Sequence, residues 1–148
     1  MTLTRLQAGI LAAAAKRAAA LSWDDVAAAL GRSPLWATSA VLGQQSLSPE
    51  QVTALVALLD LPGEVALALA LPPDRSAAAV DLTDPLVYRL GEMVQVYGAA
   101  VREIVGEQFG DGIVSAIDFE MALERVADPK GDRVVLTLNG KFLPYRVW

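Results

Sequence analysis

Apolar residues recur every three or four positions through the first seventy residues, and Ser, Pro and Gly cut the pattern into five helical pieces. Leu3, Leu6, Ile10, Leu11 and Ala14 form one stripe of a first helix over residues 3–20. Ser22 followed by Asp25 has the form of a capping box with a shortened acid, and it opens a second helix, Trp23 to Leu30, that stops at Gly31. Ser33 and Pro34 open a third, which reaches Leu42 and ends at Gly43. Ser48-Pro49-Glu50 starts a fourth helix, Gln51 to Leu59, and Pro62-Gly63 separates it from a fifth, Glu64 to Leu71.

Pro72-Pro73 and the Ser/Ala-rich residues after it divide the chain into a helical domain, 1–75, a linker, 76–82, and a C-terminal domain, 83–148. Thr83 or Asp84 caps the longest helix, Pro85 to Phe109. Its apolar positions, from Leu86 to Val105, form a stripe too broad for one face, so it is expected to be covered on more than one side. Gly91 interrupts this helix at a cost of roughly 1 kcal/mol relative to Ala, which suggests a close approach to its backbone. Gly110 is expected to end it in the left-handed conformation.

Beyond it, Ile113, Ser115, Ile117 and Phe119 alternate as in a strand. Met121 to Asp128 reads more weakly as another, and Asp128-Pro129-Lys130-Gly131 as a turn. Two β-rich runs follow, joined by Asn139-Gly140, the residue pair favoured in tight hairpins. The fold class is therefore α+β: a five-helix bundle, then a long helix with short strands. One helix and a few strands make a thin core, so the C-terminal domain is expected to intertwine with a second copy as a dimer.

Composition sharpens this. Hydrophobic residues make up 54% of the 148 and mean hydropathy is +0.40, high for so short a chain, so part of the apolar surface is expected to close contacts between copies. No run is long enough for a membrane span. Lys16 and Arg17 interrupt the signal-like GILAAAA segment, so it reads as the first helix of a cytoplasmic protein. There is no Cys and no His. Disulfides, thiolate nucleophiles and Ser-His-Asp chemistry are excluded, and zinc or haem sites are not expected. Net charge is −5, most of it in residues 81–148, a poor match to a nucleic-acid partner.

SWDDVAAALGRSPLWATSAVLGQ resembles the helix-turn-helix of DNA-binding domains. Its second helix lacks the Arg, Lys, Asn or Gln that would read bases, with Arg32 only at its lip, so a packing role is favoured over DNA binding.

Candidate chemistry lies between Tyr88 and Phe119. Arg89 and Glu92 stand three apart, so they share a helical face. Such a pair is by itself most often a surface ion pair worth under ~1 kcal/mol. The apolar flanks Leu90, Met93, Val94 and Val96 point instead to partial burial, where a guanidinium needs an anionic partner. Ser115, alone in IVSAI, is either a locally bonded small residue or, with adjacent backbone N–H groups, a donor to an anion. Gly110-Asp111-Gly112 lacks a nucleotide-binding pattern, and Asp128 and Asp132 miss the calcium-loop spacing, so no metal is predicted.

YRLGEMVQVYG, then EQFGDGIVSAIDF, then RVADPKGDRVVLTLNGKFLP, with Val41-Leu42-Gly43-Gln44-Gln45 before them, resemble the cyanases, also called cyanate hydratases or cyanate lyases. The resemblance covers nearly the whole chain. It implies a lyase that turns cyanate and bicarbonate into carbamate and carbon dioxide, after which carbamate yields ammonia and a second carbon dioxide. It places the catalytic Arg on Arg89, the Glu on Glu92 and the Ser on Ser115. It implies no cofactor beyond bicarbonate as co-substrate, and a homodecamer of five dimers with sites drawn from several subunits. The family often has two aromatics where this chain has Leu90-Gly91. Two other readings remain at this point: a helix-turn-helix regulator with a C-terminal oligomerisation domain, and a structural oligomer that lost activity through Leu90-Gly91.

Overall fold

A computed structural model describes residues 2–76 and 80–147. Five helices come first: α1 (Arg5–Ala18), α2 (Trp23–Leu30), α3 (Pro34–Val41), α4 (Pro49–Leu59) and α5 (Gly63–Leu69). The first four start at a side-chain cap, and α5 follows Pro62 without one. Ser22 and Asp25 form the expected capping box, and Thr4 with Gln7 and Ser48 with Gln51 form two more. The Ser33 hydroxyl accepts from the Trp36 N–H, with Pro34 in the first turn. Each such cap is worth about 0.5–2 kcal/mol. The bundle closes around Val26, Val41, Leu55, Val65 and Leu69, interleaved with Ala8, Ala12, Ala37 and Ala40, whose small side chains let the helices approach.

One charge lies inside this unit. Arg5 is only 4% exposed, and its guanidinium donates to the Ala40 and Val41 carbonyls at the C-terminal end of α3. A cation there adds donors to the helix-end carbonyls, of which Ala40's already accepts from the Gly43 N–H, and opposes the negative end of the helix dipole. Burial lowers the Arg5 pKa from its ordinary value.

Of the expected linker, 77–79 lie outside the described residues, and 80–82 form neither helix nor strand. Asp84 caps α6 (Pro85–Phe109), its carboxylate accepting from Leu86 and Val87 N–H. Gly110 ends the helix at φ 93°, ψ −164°, not in the left-handed conformation that was expected. That region is essentially open to glycine alone and turns the chain straight into extended structure.

Two strands follow, β1 (Gly112–Val126) and β2 (Arg133–Pro144), and they form a two-stranded sheet. They are long rather than short, and the run from Met121 onward is the far half of β1. Gly112 lies against Leu143 and Gly140 against Ser115, so the strands run antiparallel. The hairpin turn falls within residues 127–132, where the Asp128 carboxylate accepts from the Lys130 N–H and Arg125 pairs with Asp132. Asn139-Gly140 is therefore not a turn. It runs through the middle of β2, because a strand of twelve residues can pair with β1 along its length only if the chain continues straight there.

By Cα proximity the chain forms two compact units, Met1–Ala78 with Met121–Thr137, and Ala79–Glu120 with Leu138–Trp148. In the second unit no residue of α6 is buried, whereas cover on several sides was expected. Its broad apolar stripe faces solvent in the single chain.

Candidate active site

Arg89 and Glu92 lie one turn apart on α6, and Arg89 Nη1 donates to Glu92 Oε2 at 2.6 Å. Their side chains are 64% and 47% exposed, so the partial burial inferred from the flanking residues is absent within one chain. The flanks Met93, Val94 and Val96 are exposed too, and they cover nothing in their own chain. The Arg89 guanidinium also lies over the Tyr88 ring, 5.9 Å from its centroid, leaving its remaining N–H groups free for an anion. The Glu92 carboxylate accepts from one end of the guanidinium. A Cβ at Gly91, between them, would meet nothing within 4 Å.

Ser115 is built differently. It is 6% exposed, the one buried residue of β1, and its Oγ accepts from the Ile117 N–H at 3.1 Å and the Asp118 N–H at 2.9 Å. Those two N–H groups are spent on the hydroxyl and are not free to donate to a ligand. With both lone pairs engaged, the hydroxyl is left with its hydrogen to donate. Lys141 on β2 stands 3.9 Å from the Asp118 carboxylate across the ladder.

Within one chain no hydrogen bond or ion pair among the described residues joins Ser115 to Arg89 or Glu92. An open groove of about 690 Å³ in this unit contains none of the three. It runs along the end of α6 and the start of β1, past Glu103, Glu107, Gly110, Asp111 and Gly112. With three carboxylates against one cation, Arg102, its lining makes a poor anion cradle, in keeping with the reading of Gly110-Asp111-Gly112 as a connection. Among the described residues no helix is long and apolar enough to cross a membrane, and no group of three or more acidic residues is placed to hold a metal ion.

Residues 5–73 match the family description "Cyanate hydratase, N-terminal", and residues 79–147 match "Cyanate lyase C-terminal domain". These two parts, in this order, define the class of protein: a lyase. Among curated relatives, a cyanate hydratase of Pseudomonas putida is 49% identical, covering 97% of this chain and 99% of its own. One of Thiobacillus denitrificans is 47% identical over 99% and 100%. Among solved structures, the crystal structure of cyanase from T. urticae superposes with a TM-score of 0.83 at 33% identity, over 93% of this chain and 97% of that one. The chain belongs to the cyanate hydratase family. The regulator reading gains no support from these matches, and Arg32, at the lip of the supposed recognition helix, stacks on the Trp36 ring 5.1 Å away.

Proposed function

We propose that the chain decomposes cyanate with bicarbonate, using Arg89, Glu92 and Ser115 in sites assembled between copies of the C-terminal domain, 83–148. The observation that carries this reading is the Arg89–Glu92 pair held at 2.6 Å on an apolar helix of a cyanate hydratase family member. A bicarbonate oxygen attacks the cyanate carbon and the bicarbonate proton passes to nitrogen, giving a dianionic adduct. The bond from that oxygen to the former bicarbonate carbon breaks, carbon dioxide leaves, and the nitrogen takes a proton from solvent to give carbamate. A further proton releases ammonia and a second carbon dioxide.

No imidazole is needed, because bicarbonate brings both the nucleophile and the first proton. The protein's task is to hold two repelling anions together. Arg89 supplies the fixed cation, Glu92 directs it, and Ser115 donates to charge that develops on the adduct. Exposed apolar residues on α6 and both strands support assembly into an oligomer, for which we propose the decamer of five dimers in the cytoplasm. No cofactor takes part. Ammonia release from cyanate, measured with and without added bicarbonate in carbon-dioxide-free buffer, tests the reading. Release is expected to rise in proportion to bicarbonate at low concentration, and release independent of bicarbonate would overturn it.

A further inference from the structure

Gly140, half of the pair that the sequence marks as a turn, lies opposite Ser115 in the middle of β2. There is no room for a side chain at this place. A Cβ at 140 would collide with Val114 Cγ1, and would come within 2.9 Å of the Ser115 carbonyl oxygen and 3.1 Å of Phe119 Cδ2. Van der Waals contact between such atoms begins at roughly 3.5 Å, so something must move. What would move is the segment that orients the hydroxyl. Val114 precedes Ser115, the carbonyl is its own, and Phe119 follows the Ile117 and Asp118 N–H groups that hold Oγ at 3.1 and 2.9 Å.

We propose that Gly140 is a positioning residue for Ser115: its bare Cα lets β2 close on the Ser115 backbone and so fixes the direction of the hydroxyl donor. The inference rests on the reading of Ser115 as an anion donor. The Ser115 peptide is confined from two sides, by the N–H pair that grips its side chain and by the Gly140 backbone against its carbonyl. A shift of a few tenths of an ångström at that carbonyl re-aims the hydroxyl, and misplacement by about 1 Å costs on the order of a hundredfold in well-oriented sites. The Asn139-Gly140 pair thus serves close approach rather than a bend, which accounts for a glycine in the interior of a strand.

A double-mutant cycle tests this, with Gly140→Ala, Ser115→Ala, the double variant and the parent each assembled and titrated with oxalate, a small dianion whose binding can be read when turnover is lost. Ser115→Ala is expected to weaken oxalate about tenfold or more, Gly140→Ala by a similar factor, and Gly140→Ala to add less than about twofold once Ser115 is absent. Unchanged oxalate affinity in Ser115→Ala overturns the reading of Ser115 itself. A loss from Gly140→Ala that recurs in full without Ser115, or no loss at all, overturns the role of Gly140 alone. Should Gly140→Ala fail to assemble, Val114→Ala is combined with it to remove the colliding methyl and compared with Val114→Ala alone. Assembly with restored oxalate affinity supports the proposal, and a second failure to assemble makes Gly140 a folding residue and overturns it.

Discussion

Leu55, Leu69, Val26 and Val41 lie almost wholly out of water in the helical bundle, whereas α6, 25 residues long and rich in Val, Leu and Tyr, has no buried residue. The bundle meets its own needs: capped ends, an interior packed with Ala and Leu, and a buried Arg5 on the carbonyls that end α3. The α6 helix and the adjoining strand residues are apolar and yet uncovered, with Ile117 97% exposed, and a two-stranded sheet is marginal alone in water. Exposed apolar area of this kind marks a surface meant for a partner. The candidate catalytic residues lie in the uncovered unit. The part of the molecule that cannot complete itself is the part in which the chemistry is proposed.

The sharpest way to break this contrast is to put a charge on the uncovered helix. Val94 is 71% exposed, so in a chain that works alone Val94→Glu would be nearly silent. If other copies cover α6, the substitution buries an unpaired carboxylate, and light scattering is expected to show smaller species with turnover lost. The matching change in the bundle is Leu55→Ala, at a fully buried position. It is expected to cost about 2–5 kcal/mol in thermal or denaturant unfolding while assembly at room temperature persists, because the C-terminal apolar surface is untouched. Loss of assembly in that variant would mean that the bundle takes part in association.

The smallest effect expected is an acid one. The Ser22 hydroxyl, and after it the Ser22 backbone N–H, hold the Asp25 carboxyl below its ordinary pKa. Between the lowered value and the ordinary one the unfolded chain binds more protons, so this contribution is present above about pH 4 and lost as pH falls through the lowered value. Asp25→Asn is expected to flatten that part of the acid limb in melts of the bundle, leaving turnover at neutral pH unchanged.

Much of the bundle and the bounds of α6 were legible in the sequence because their signals are local. Ser, Pro and Gly mark ends within a residue or two of their effect, and the α6 bounds, Pro85–Phe109, follow from Asp84-Pro85 and Gly110. Arg89 and Glu92 at a spacing of three gave the observed ion pair for the same reason. What stayed hidden depends on contacts distant in sequence. Asn139-Gly140 has the composition of a turn, and only the close approach of Ser115 and Val114 explains its place inside a strand. Arg5 gave no hint of the carbonyls of Ala40 and Val41, some 35 residues away, that would bury it. The grip of Ile117 and Asp118 on the Ser115 hydroxyl is local, yet alternation alone hides it, because a regular strand points these N–H groups elsewhere. The burial expected of α6 is absent in one chain, since an apolar stripe records that a surface is covered and not what covers it.

The proposed sites lie between copies of the chain, and mixing subunits shows whether Arg89 and Ser115 of one site come from different copies. Arg89→Ala and Ser115→Ala chains, each expected to assemble and each nearly inactive, are dissociated, mixed and reassembled. Mixed assemblies are expected to regain a substantial fraction of parental cyanate turnover, because some sites then receive an intact Arg89 from one chain and an intact Ser115 from another. Mixed assemblies no more active than either variant alone, with subunit exchange verified, would contradict it.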